Sequence, residues 1–203
     1  MRRTALAILP GLLLAGCFSS SAPDVKAWSV DPVPVEQQPT RAMEGGGPLY
    51  SATRLGSVVV NAPYDRPQFV VRRPDGTVAF DHYNVFASDP STLLRASAQS
   101  GLSADGRLGH VVGQSSVLSS DAQVEIQVKD LSIDCREAGR RVACAAVSVD
   151  VVNVGRGPRA LASTGEGRAA VDALDGNYSR AFSQAFSKAL DAAVVDALGP
   201  RKK

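Results

Sequence analysis

The sequence predicts an α+β fold: a single domain with a mixed or largely antiparallel sheet and two packed helices, one of them C-terminal. Three observations predict it. Alternating apolar and β-branched runs recur from Val25 to Ala170, the mark of buried or half-buried strands. Asp89-Pro90 opens one helical stretch among them. Phe182, Phe186, Leu190, Ala193 and Ala197 then recur at helical spacing near the end of the chain. The order strands, helix, strands, helix fits an α+β domain, and no internal repeat is visible.

The chain begins outside that domain. Met1-Arg2-Arg3 is a short positive start, followed by an apolar run from Ala5 to Ala15. About ten apolar residues interrupted by Pro10 are too few to span ~30 Å of hydrocarbon, so residues 1–16 read as a signal peptide. Leu14-Ala15-Gly16-Cys17 is a lipobox: an apolar residue, two small residues, then the cysteine expected to be acylated and to become the new N-terminus. The alternative is an ordinary cleaved signal with a chance cysteine. Lipoproteins of this type carry three acyl chains, and each buried CH2 contributes ~0.8 kcal/mol, so the anchor would hold firmly. Phe18 stands where Asp retains enterobacterial lipoproteins in the inner membrane. The expected address is therefore the periplasmic face of the outer membrane, with the inner membrane as the alternative. Residues 17–24 form a short Ser-rich tether, and 25–200 the folded domain.

Composition sets bounds. Of 203 residues, 44% are hydrophobic and 21% charged, which suits one globular domain. A net charge of +2 leaves no nucleic-acid footprint. Arg201-Lys202-Lys203 reads as a solvated tail, though it could touch anionic headgroups.

Within the domain, Val25 to Val30 alternates as a first strand, and Asp31 to Pro48, rich in Pro and Gly, is a loop. Ser57 to Val60 is a buried strand. Gln68–Arg72 and Thr77–Phe80 flank Pro74-Asp75-Gly76 as a hairpin. The helix opened by Asp89 carries Leu93, Leu94 and Ala98, and Gly101 can close it. His110 to Gln114 is a short strand. Val124, Ile126 and Val128 alternate, and Leu131, Ile133 and Cys135 alternate on the opposite parity. That phase slip at Lys129-Asp130 predicts a β-bulge. Arg141 to Val154 is a long strand and Ala160 to Ala170 a weaker one. Asn177 to Leu198 is the clearest helix, stopped by Gly199-Pro200. Its Phe stripe is expected to pack on the sheet, with Ser183, Lys188 and Asp191 on other sides.

Few motifs carry chemistry. Cys135 and Cys144 flank a candidate turn; centred on Gly139-Arg140, it sets them opposite one another, which predicts a disulfide in an oxidising compartment. Zinc binding with His82 and His110 is the weaker alternative, since only two histidines are present and no Cys-x-x-Cys spacing occurs. Gly155 to Ala160 matches G-x-G-x-x-A, but Pro158 lies inside it and a strand follows, so it reads as a turn. No nucleophile elbow or phosphate loop occurs, and Asp65, Asp81 and Asp89 are scattered. Neither a catalytic group, a metal nor another cofactor is implied.

One segment is distinctive. Pro63-Tyr64-Asp65-Arg66-Pro67-Gln68-Phe69-Val70-Val71-Arg72 resembles the Y-L-D-R-P-Q-I-V-x-R signature of the ABC-type transport auxiliary lipoproteins, the family that includes paraquat-inducible protein C and the lipoprotein partners of MCE (mammalian cell entry) transporters. Trp28 to Pro32 looks like that family's early Y-x-L-x-P strand, and the C-terminal helix falls in the right place. The sequence departs from the pattern in lacking Leu before Asp65, in carrying Phe86 where Trp is common, and in having the Cys135/Cys144 pair. The resemblance implies a non-enzymatic, membrane-anchored auxiliary component of an ABC-type system that moves lipid or other hydrophobic substrate across the bacterial envelope. Its partners would be an MCE-type periplasmic protein and a separate permease and ATPase, and the family admits homo-oligomers. On the residues alone, Pro63 and Pro67 fix two φ angles and withhold two N–H donors. Tyr64, Asp65, Arg66, Pro67 and Gln68 are then a rigid corner leading into a strand, or a contact surface for a partner. Two rival functions stand beside transport: a structural or assembly lipoprotein binding another outer-membrane protein, and a periplasmic enzyme in which Asp65, His82 or His110 would converge on a polar pocket.

Overall fold

The strand-like runs form one mixed, eight-stranded sheet in the computed structural model, with both helices packed on it. The structure describes residues 24–33, 47–154, 160–171 and 177–199. The leader, Cys17, the tether as far as residue 23, most of the loop at 31–48, the turn at 155–159, Pro200 and the basic tail lie outside the described residues.

Strand β1 is Lys26–Trp28, β2 Ala52–Val60, β3 Gln68–Arg72 and β4 Val78–Phe86. Helix α1 follows at Pro90–Ser103, then β5 His110–Val112, β6 Ala122–Asp134, β7 Val142–Asn153, β8 Ala160–Ala170 and helix α2 Tyr178–Leu198. β6 is the spine. β7 runs antiparallel along its whole length, and β8 antiparallel to β7. The other edge of β6 is shared by two parallel strands: β2 along Ala122–Val128 and β3 along Ser132–Asp134. β5 extends the sheet beyond β2, and β4 and β1 extend it beyond β3.

The predicted bulge is present. Register slips between Val128 and Asp130, so Val124, Ile126 and Val128 before it and Leu131 and Ile133 after it are all buried. The slip keeps apolar side chains on the helix-covered face although the sequence parity changes.

Asp89 caps α1, its carboxylate accepting from the Ser91 N–H at 2.9 Å and the Thr92 N–H at 3.3 Å, while Pro90 fills the first turn. Hydrogen bonds from Ser91, in side chain and backbone, hold the Asp89 carboxyl below its ordinary pKa. Gly101 does not close this helix. It lies inside it, where a side chain would press on Leu190 of α2, and the helix ends at Ala104. Asn177 caps α2 by accepting from the Arg180 N–H at 2.9 Å, and Gly199, at φ 78°, ends it. Phe182 and Phe186 are fully buried, so the stripe packs on the sheet as expected. Ser183 is buried as well, because its hydroxyl donates back to the Ser179 carbonyl at 2.7 Å.

Two glycines set how closely α2 lies on β8. An added Cβ would fall 2.1 Å from the Ala189 carbonyl oxygen at Gly165 and 1.9 Å from the Ala185 carbonyl oxygen at Gly167. The helix backbone rests directly on the strand there. Phe69, Phe86, Phe182 and Tyr178 stack with ring centroids 4.7–5.3 Å apart, tying β3, β4 and α2 together. Asp105 and Arg107, both buried, pair at 2.8 Å, and Arg107 also donates to the Gly199 carbonyl at 2.8 Å. That pair pins the connection after α1 to the end of α2.

Candidate functional site

The distinctive segment sits where β6 changes partners. The chain leaves β2 at Val60, turns through residues 61–67, and rejoins the same edge of β6 as β3. The Asn61 N–H donates to the Val128 carbonyl at 2.9 Å, the Tyr64 N–H to the Asn61 carbonyl at 2.8 Å, and the Phe86 N–H to the Pro67 carbonyl at 2.7 Å. Pro63, whose peptide with Ala62 is cis, and Pro67 lack an N–H in a stretch that has left the sheet's ladder. The segment is a corner between two strands, laid against the β6 bulge.

Its side chains divide into two groups. Tyr64 is half-buried, and its hydroxyl accepts from Arg72 Nη2 at 3.2 Å. The same nitrogen donates to Asp130 Oδ2 at 2.7 Å. Burial alone would lower the Arg72 pKa, but the Tyr64 hydroxyl and the Asp130 carboxylate outweigh it and raise it. Asp65, Arg66 and Pro67 are exposed, and Gln68, half-buried, begins β3 opposite Val85. Arg66 does not bond Asp65. It lies over the Phe80 ring, 4.4 Å from the centroid.

Beyond Arg72 the uncovered face of the sheet carries a second polar group. Val70, Ser132, Cys144 and Arg168 line up across four strands, and Arg72, Asp134 and Val142 form the next row. Asp134 accepts from Arg136 through Nε at 2.9 Å and Nη2 at 2.6 Å, and from Arg168 Nη2 at 3.0 Å. Hydrogen bonds from Arg136 above all, reinforced by the charges of Arg136 and Arg168, hold the Asp134 carboxyl well below the usual carboxylate range. A polar groove of about 350 Å³ opens between this cluster and the hairpin residues Glu137 and Arg140. Within the face, Ser132 is fully buried and its hydroxyl has no partner among the described residues.

The expected Cys135–Cys144 disulfide is not formed, and both thiols are free. The Arg140 N–H donates to the Glu137 carbonyl, with Gly139 at φ 72°, so the turn closes earlier in the chain than Gly139-Arg140. Asp134 then pairs with Val142 and Ser132 with Cys144, which leaves Cys135 beyond the last pair. Cys144 lies on the uncovered face beside Ser132, whereas Cys135 packs against the core, its thiol pKa raised by burial. An odd offset in register puts two side chains on opposite faces of a sheet.

The rival catalytic groups do not converge. His82 is exposed in β4 and His110 exposed at the start of β5, strands separated in the sheet by β3, β6 and β2. Asp81 accepts from the Tyr83 and Asn84 N–H groups at 2.9 and 3.0 Å, and Asp89 is a helix cap. No three metal-ligating side chains cluster among the described residues. Cys17 lies outside them. The Arg72–Asp130 and Asp134–Arg136–Arg168 pairs went unread in the sequence, although the parity change at Lys129-Asp130 was the signal that turns Asp130 to the uncovered face.

A family model described as an ABC-type transport auxiliary lipoprotein component matches residues 34–197. No curated protein matches the sequence. Among solved structures, a Xanthomonas campestris protein of the DUF330 family is similar, with a TM-score of 0.54 at 18% identity over 87% of this chain and 90% of its own. A second, described as an uncharacterized protein, gives a TM-score of 0.55 at 16% identity, covering 74% of this chain and 92% of its own. Identity that low shows a shared fold.

Proposed function

The chain belongs to the ABC-type transport auxiliary lipoprotein family, and on that footing we propose that it is the non-enzymatic, membrane-anchored accessory of an MCE-like system moving lipid or other hydrophobic substrate across the bacterial envelope. The family match over residues 34–197 carries this reading, and the lipobox ending at Cys17 supports it from outside the matched region. Acyl chains on Cys17 hold the domain at the periplasmic face of the outer membrane. The anchor confines the domain near the bilayer and raises its local concentration for an MCE-type protein reaching across from the permease and ATPase. The exposed Asp65-Arg66-Pro67 corner supports a contact role, because it is a rigid, solvent-facing turn braced from behind by Tyr64 and Arg72.

Mild-detergent co-purification of the full-length protein tests the reading. An MCE-type protein with its permease and ATPase is the expected catch, and Arg66→Glu should reduce it. Recovery of only an unrelated outer-membrane protein would favour the assembly role instead. Radiolabelled palmitate should enter the native chain and not Cys17→Ser.

A further inference from the structure

We infer that the β1–β4 edge of the sheet is the face the domain lays against the bilayer. This rests on acylation of Cys17 as proposed above. Four apolar side chains are open to solvent there: Val25 at 62%, Val78 at 55%, Tyr83 at 52% and Phe80 at 37%. Lys26 pairs with Asn84, so the residues just before them, Val25 and Tyr83, come side by side at the edge. Val78 and Phe80 lie opposite Arg72 and Val70, on the face the helices leave uncovered. β1 ends the sheet on this side, and among the described residues no strand pairs beyond it.

The edge is held in this pose. Between Phe69↔Asp81 and Gln68↔Val85 the ladder skips three residues of β4, His82 to Asn84. The Asp81 carboxylate braces that bulge, accepting from the Tyr83 and Asn84 N–H groups and from Asn84 Nδ2. Asn84 in turn accepts from the Trp28 indole N–H at 3.0 Å, which clamps β1 in place. Tyr83 is therefore presented outward by a built turn.

Chain length chooses the occupant. Eight residue steps separate Cys17 from Val25, at most about 28 Å fully extended. Whatever holds Cys17 in a membrane holds this edge within that reach. β8 lies five strand spacings away through β4, β3, β6 and β7, roughly 24 Å farther at ~4.8 Å each. The chemistry agrees. Tyr and Phe suit the boundary between headgroups and acyl chains. The contact is therefore apolar and interfacial and should vary little with salt.

The test uses the acylated full-length chain in vesicles of brominated phosphatidylethanolamine and phosphatidylglycerol. Tyr83→Trp and Glu166→Trp each add one emitter to Trp28, the only tryptophan, and the added emission is read as the difference from wild type, so the Trp28 clamp stays in place. Phe80→Trp, read the same way, is a second probe of the edge should the first variant be unstable. The expected result is loss of most emission, with a blue shift, at positions 83 and 80 and little change at 166. Equal quenching at all positions, or none at 83 and 80, in protein that carries radiolabelled palmitate overturns this inference alone and leaves the anchor standing. Absence of palmitate label overturns both together.

Discussion

Arg72 donates to Asp130 at 2.7 Å across the junction where β3 takes over the edge of β6 from β2. Asp130 is there because the register slip at Val128 turns it to the uncovered face, and Arg72 because it ends the strand that the proline corner starts. Both side chains are more than two-thirds buried, and the same guanidinium nitrogen also donates to the Tyr64 hydroxyl. Removing either partner leaves a largely desolvated charge behind. Arg72→Ala and Asp130→Ala should each destabilise the domain by about 1–3 kcal/mol, and Tyr64→Phe by about 0.5–1.5 kcal/mol. Urea unfolding of the single and double variants measures the coupling, and simple additivity of Arg72→Ala with Asp130→Ala would show that the pair contributes nothing.

Gly167→Ala should be more damaging than its single methyl suggests. The added Cβ would meet the Ala185 carbonyl oxygen at 1.9 Å and the Ala189 nitrogen at 2.7 Å, both backbone atoms of α2 that cannot rotate away. The helix must lift from β8, opening gaps around Phe182 and Phe186. A loss of about 1–3 kcal/mol or more is expected. Gly76→Ala makes the comparison: open space surrounds it, but its φ of 82° costs a non-glycine residue about 1–2 kcal/mol. Equal midpoints for Gly167→Ala and wild type would show that α2 does not rest on the strand.

Asp134 ties stability to pH. Its folded pKa is depressed below 3.8 by Arg136 first and by Arg168, so the unfolded chain binds the proton more tightly than the native one. The contribution is therefore fully present above about pH 5 and is lost as pH falls through the acid range. Asp134→Asn should be less stable than wild type at neutral pH and lose less stability between about pH 5 and pH 3, so the two curves converge on acidification. Parallel curves would show that Asp134 is not the group responsible.

The backbone was legible in the sequence where side chains face one environment. The β6 bulge follows from the change of parity between Val128 and Leu131, and α2 from its apolar stripe, because burial on one face imposes a period on the chain. What went unread depends on contacts distant in sequence. Nothing near Gly167 announces that α2 will touch it, and Gly101 looks like a helix stop until Leu190 is known to lie above it. The sharing of one β6 edge by β2 and β3 is a matter of topology, so Tyr64, Arg72 and Asp130 could be named separately but not assembled. The motif was readable as a corner; what it braces was not.

The two cysteines give the sharpest test of the hairpin register. A turn at Gly139-Arg140 makes Cys135 and Cys144 partners, whereas the observed pairing of Asp134 with Val142 sets them on opposite faces. A disulfide could form only if the register slipped by three residues in total, and that odd slip would carry Ala143 and Ala145 of β7 out of the core. In a Cys17→Ser background, protein purified without reductant should therefore show two titratable thiols in denaturant. In the folded state Cys135, partly exposed, should react ahead of the buried Cys144. Its raised pKa makes that reaction slower than for a free thiol and faster as pH increases, because the thiolate is the reactive form. Reductant should leave the unfolding midpoint unchanged. Zero thiols, with a midpoint that drops on reduction, would mean that the strands pair as the sequence first suggested and that the rows across Ser132 and Asp134 are misplaced.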